Sequence, residues 1–140
     1  MKIAIVLLSI TSILGISYFF NSKPKHCEYV KEKFNININS QAKLVFEKEE
    51  FGDFDGSYWK TYVYDIKDAV NDITEQVKNS KWNTLPFDNF RYGTDLEQFT
   101  SSKDKGFYFY KEDSLYMTNF KLGILSITNN KLIICETKTH

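Results

Sequence analysis

Residues Ser57 to Lys78 read "SYWKTYVYDIKDAVNDITEQVK", and the spacing of their apolar residues changes partway along. Ser57 to Tyr64 is dense in aromatic and β-branched side chains, the composition of a strand. From Ile66 onward the apolar residues Ile66, Ala69, Val70, Ile73 and Val77 recur every three or four positions, which marks one apolar helix face. Asp65 is placed to cap that helix, Asp68 sits in its first turn, and Lys78 and Lys81 crowd its end, where they complement the helix dipole. A strand that runs directly into an amphipathic helix implies a sheet covered by that helix.

The flanking sequence extends this pattern. Upstream, Lys43 to Glu50 reads as a strand. Downstream, Trp82 to Thr100 is irregular, punctuated by Pro86 and Gly93, with Trp82 and Leu85 as lids over the core. Three further strands follow: Gly106 to Lys111 "GFYFYK", Leu115 to Thr128, and Lys131 to Thr137 "KLIICET". Asn129-Asn130 suits a two-residue hairpin, because asparagine tolerates positive φ. The order ββαβββ predicts an α+β domain, an antiparallel sheet packed on one helix. Residues 1–20 form an apolar segment, 21–42 a polar stalk with a short helix at Glu28 to Phe34, and 43–140 the globular domain.

Composition narrows the function. The 140 residues are 42% hydrophobic and 26% charged, which fits one globular domain, and 18 basic residues balance 18 acidic ones. That balance leaves no global field to attract nucleic acid. Ile3 to Phe20, "IAIVLLSITSILGISYFF", carries no charge and as a helix would span ~27 Å, close to the hydrocarbon thickness of a bilayer. Its length exceeds that of a usual signal-peptide core, so it reads as an uncleaved signal anchor and single transmembrane span, with a cleaved secretory signal as the alternative. The short tail ahead of it places the remainder outside the cytoplasm. Cys27 and Cys135 could then close a disulfide in an oxidising compartment, against the simpler reading of an exposed thiol and a buried small hydrophobe. His26 and His140 lie at the edges of the domain with no paired Cys/His spacing, so no metal site and no cofactor is expected.

The stretch "GDFDGS", Gly52 to Ser57, tests for a calcium loop. With Gly56 at the glycine position, Asp53 and Asp55 fall on ligand positions, but Phe51 and Tyr62 occupy the two outer ones. A hairpin connection is the better reading, with Asp53 and Asp55 left as a weak cation candidate.

Four stretches, "GDFDGSYWKTYVYDI", "WNTLPF", "GFYFYK" and "NFKLGILSITNNKLIICETKT", resemble in order and spacing a family of small uncharacterised bacterial proteins that are exported or membrane-anchored. That family shows a G-F-H-G-D-G turn, a W-x-x-L-P motif, a G-Y-Y-F strand and a final hairpin. The resemblance covers roughly residues 44–139 and implies the fold and a bacterial origin, with no activity attached. In the turn, Asp55 and Ser57 stand where the family has histidine and a second aspartate.

No catalytic kit is present in the sequence: no G-x-S-x-G, no phosphate-binding glycine loop, no H-E-x-x-H. The chain is therefore expected to be no enzyme. Its 16% aromatic content supplies mostly core. Successive residues of "GFYFY" point to opposite faces, which makes Tyr108 and Tyr110 candidates for a binding surface on the face away from the helix, unless the 82–100 segment covers them. The expected function is a membrane-anchored extracytoplasmic module that binds an envelope protein, or alternatively a small ligand or cell-wall glycan.

Overall fold

A computed structural model describes residues 24–52, 56–87, 96–101, 103–113 and 116–139. The apolar segment 1–20 and the residues Asp53 and Asp55 lie outside the described residues. The elements are α1 (Lys25–Phe34), β1 (Lys43–Phe51), β2 (Tyr58–Asp65), α2 (Val70–Lys78), β3 (Asn83–Thr84), β4 (Gly106–Asp113), β5 (Tyr116–Ser126) and β6 (Lys131–Lys138). The strands form one antiparallel sheet in the order β1-β2-β6-β5-β4-β3. The last strand is inserted between the second and the fifth, so β6 lies near the middle, and Leu132 to Thr137 are all buried.

Period-2 alternation divides the sheet into two apolar faces. Tyr62, Tyr64, Leu125, Leu132 and Ile134 point toward Val30 and Phe34 of α1 and Ile73 and Val77 of α2. Val63, Leu122, Ile124, Ile133 and Cys135 point the other way, where Phe87, Leu96 and Phe99 cover them. Two helices cover the first face, where one was expected. The segment expected as a stalk accounts for the second: Val30, Phe34, Ile36 and Ile38 are all buried in the core. At about 1.5–3 kcal/mol for each large apolar side chain removed from water, these residues belong to the fold. Asn35 ends α1 in the left-handed conformation (φ 57°), its N–H donating to Lys31 O at 3.1 Å. Among the described residues, no helix is long and apolar enough to cross a membrane.

Two local details differ from expectation, and β1 adds a bulge. Asp65 does not cap α2, which starts at Val70 after Ala69; its carboxylate instead accepts from Lys67 N at 3.0 Å and closes the turn before the helix. The β5–β6 connection holds four residues, because Ser126 pairs with Lys131 and only Asn130 (φ 51°) takes positive φ. In β1, Leu44 faces Tyr64 and Phe46 faces Val63 across a bulge, so residues two apart reach opposite faces.

Trp82 acts as the expected lid, seated on bare backbone. A Cβ at Gly123 would lie 2.4 Å from the Trp82 ring, so glycine there lets the indole approach the backbone of β5 beside Phe109. The 96–104 segment is tied down by buried Asp104, whose carboxylate accepts from Thr100 Oγ1, Ser101 N, Ser126 Oγ and Asn129 Nδ2 at 2.7–3.3 Å. Four donors from two segments of the chain converge on this one carboxylate, which makes Asp104 a structural staple.

Candidate functional site

Strand register places five charged residues in one row across the helix-covered face. Glu49 of β1 is opposite Lys60 of β2, Lys60 is opposite Glu136 of β6, Glu136 is opposite Lys121 of β5, and Lys121 is opposite Lys111 of β4. Directly opposed residues share a face, so signs alternate through the first four members and then repeat. The row ends on two lysines.

Glu136 is its centre, with only 5% of its surface exposed. A buried carboxylate needs partners in proportion to its lost hydration, and it has them on both sides. Oε1 pairs with Lys121 Nζ at 3.4 Å, and Oε2 accepts a hydrogen bond from the hydroxyl of Tyr29 on α1. Lys60 Nζ sits 5.2 Å from the ring centres of both Tyr29 and Tyr58 and 5.7 Å from that of Phe51, so its charge is met by three π faces. Tyr62 donates to Glu49 at the outer end of the row.

The phenols around this row resist ionisation. Burial, followed by the hydrogen bond to Glu136 and its charge, pushes Tyr29 well above the usual tyrosine range; burial and then Glu136 push Tyr58 up to about 12; burial and then Glu49 raise Tyr62. Tyr64 is raised too, chiefly by burial, and its hydroxyl lies 2.8 Å from His26 Nδ1. In an unfolded chain such phenols titrate near ~10. Between that value and the folded one, the unfolded chain has shed protons that the fold retains. Stability is therefore complete below about pH 10 and falls as pH rises toward 12 and beyond. Tyrosinate absorbance followed during an alkaline titration should show part of the nine tyrosines ionising only together with loss of the near-ultraviolet dichroism of the fold. Ionisation of all of them near pH 10 with the fold intact would refute this arrangement.

At the basic end of the row the surface opens into a pocket of about 430 Å³. Tyr58, Lys111, Asn119, Lys121, Glu136 and Lys138 are among its lining residues. Among the described residues, no carboxylate forms an ion pair with Lys111 or Lys138. Asn119 shapes the rim, its Oδ1 accepting from Thr139 N at 2.5 Å and so holding the chain end against β5. Three ammonium groups against two carboxylates, Glu112 and the already engaged Glu136, leave the pocket net basic and suited to an anionic group.

The residues singled out in the sequence lie elsewhere. Tyr108 and Tyr110 are on the second face as alternation predicts, but they are half-buried, and Phe87 packs on them with ring centres 4.5 and 5.4 Å away. Phe87 thus covers part of the surface they were expected to offer. Cys27 and Cys135 form no disulfide. Cys27 packs with the helix-side cluster and Cys135 with the opposite one, so the sheet stands between them. Cys135 is fully buried beside Thr61, and burial pushes its thiol up to about 11. Among the described residues, no group of three or more metal-ligating side chains forms a metal site. Glu136 and the lysines were missed in the sequence reading because only strand register assembles them. The one local sign was a charged residue, Glu136, directly after the apolar run Leu132 to Cys135 in a central strand.

No protein-family model, curated protein or solved structure matches the chain. The fold and the row therefore carry the functional reading by themselves.

Proposed function

We propose that this protein is a non-catalytic recognition module, tethered by its N-terminal apolar segment outside the cytoplasm, that holds an anionic group of an envelope partner at the basic end of the row. The observation that carries this reading is the pocket in which Lys111, Lys121 and Lys138 meet, with Glu136 turned to Lys121 and Tyr29. The alternative of a sugar stacked on Tyr108 and Tyr110 finds less support, because Phe87 already occupies those rings.

Citrate is a suitable compact probe. Titrated into the full-length chain in mild detergent and followed by NMR, it should shift resonances of β4, β5 and β6 around the pocket and saturate. The double variant Lys111→Ala/Lys138→Ala should bind about tenfold more weakly, a loss of about 1.4 kcal/mol shared by two solvated charges. Both lysines are exposed and outside the core, so the variant should fold normally. Equal citrate binding by the variant would contradict the proposal. Placement is tested separately with a reporter active only outside the cytoplasm, fused to His140. An active, membrane-bound, full-length fusion is expected, and a stable inactive one would turn the domain inward.

A further inference from the structure

The charged row stops at β4 on a like-charged pair, Lys121 opposite Lys111. Like charges directly opposed on neighbouring strands repel, so a row that alternates elsewhere is incomplete at this end. Among the described residues, the edge of the sheet is incomplete at the same place. β3 pairs only with Phe107 and Tyr108, and among the described residues no strand lies outside Phe109 to Asp113. The direction of the backbone groups follows from two hydrogen bonds. Gly106 O accepts from Leu85 N outside the sheet at 3.0 Å, and Lys105 O accepts from Ile127 N on the β5 side at 2.8 Å. By alternation, even-numbered residues of β4 direct N–H and C=O outward as far as the irregularity between Glu112 and Asp113, which includes Glu112.

We infer that the partner supplies an extended acidic peptide segment, which adds to the outer half of β4 as a further antiparallel strand and sets a carboxylate beside Lys111. The inference rests on the anion-binding reading above and gives its ligand a class. The added strand completes the sign sequence of the row, and β3 shows that this edge accepts an antiparallel neighbour. Backbone pairing provides the general attraction, while the lysines choose acidic side chains on the helix-covered face. Alternation in the bound segment follows: acidic residues on the face of Lys111, uncharged residues on the face of Tyr108 and Tyr110.

The test uses the full-length chain in mild detergent with three probes: an acetylated hexapeptide of alternating valine and glutamate, the same peptide N-methylated at alternate backbone amides, and citrate. The hexapeptide should bind at least tenfold more tightly than citrate, and N-methylation should remove that advantage. Glu112→Pro deletes an outward N–H at the edge and removes a carboxylate that lines the pocket, leaving its three lysines in place. It should weaken the hexapeptide at least tenfold without weakening citrate. Should the proline variant fold poorly, the comparison of the two peptides on the unaltered protein decides alone. Equal binding of the methylated and unmethylated peptides would overturn strand addition while citrate binding upholds the anion pocket. Failure of both citrate and peptide to bind would overturn the pocket and the inference together.

Discussion

Glu136→Ala is expected to destabilise the protein by roughly 3 kcal/mol, because it removes one partner from several buried or half-buried groups at once. The Tyr29 hydroxyl loses its acceptor, Lys121 loses its ion pair, and Lys60 loses its central cross-strand neighbour. Without the carboxylate the row reads Glu49, Lys60, a gap, Lys121, Lys111, and three ammonium groups remain against one acid. Replacement by glutamine separates the two contributions. The amide keeps an acceptor for Tyr29 but removes the charge, so Glu136→Gln should recover about half of the loss. Urea unfolding of the two variants beside the unaltered protein measures this directly. If Glu136→Ala unfolded at the same urea concentration as the unaltered protein, Glu136 would be an ordinary surface residue and the row would have no centre.

A change of comparable size is expected from Gly106→Ala, for a steric reason. Gly106 has φ of 155°, in a region that side chains rarely adopt, and a Cβ there would lie 1.8 Å from the carbonyl oxygen of Leu125 and 2.9 Å from its carbon. The obstacle is backbone of the neighbouring strand, which cannot rotate aside as a side-chain end can. To fit the methyl group, β4 must move away from β5 where their pairing begins, at Gly106 opposite Ser126. That displacement also strains the hydrogen bond from Leu85 N to Gly106 O that holds β3. Overpacking and backbone strain together give roughly 3 kcal/mol. Gly123→Ala makes a useful contrast. The nearest atoms to its Cβ would be those of the Trp82 ring, at 2.4 Å, and a displaced indole costs less than a separated strand pair. The expected order in urea midpoints is therefore unaltered protein, then Gly123→Ala, then Gly106→Ala. The reverse order of the two variants would show that β4 and β5 are not in this register.

The strands could be read from the sequence because their residue types and alternation are local properties. The change of period after Tyr64 located α2 within a few residues, and "GFYFY" correctly split its rings between two faces. The first helix and its continuation were under-read for a physical reason. Lys25 to Asn39 is polar on average, and only the alternation Asn35-Ile36-Asn37-Ile38-Asn39 indicates that two isoleucines turn inward. The sequence points to Asp65 as the cap of α2 because a carboxylate before a turn and one before a helix look alike until Lys67 N is placed. The site was the least legible part. Glu49, Lys60, Lys111, Lys121 and Glu136 are spread over most of the domain, and a one-residue slip in any strand would send its member to the other face. No spacing rule links such residues.

Charge reversal at the end of the row tests the account most directly. Lys111→Glu should turn the like-charged pair with Lys121 into an attractive one, extending the alternation to the sheet edge by substitution. Cross-strand pairs of this kind contribute about 0.2–1 kcal/mol, so the urea midpoint should rise slightly above that of the unaltered protein. The same reversal places a carboxylate in the pocket, so citrate should no longer shift the midpoint as it does for the unaltered protein. Increased stability together with lost citrate response is the predicted result. A variant that is destabilised, or that responds to citrate as strongly as the unaltered protein, would contradict both the row and the site at its end.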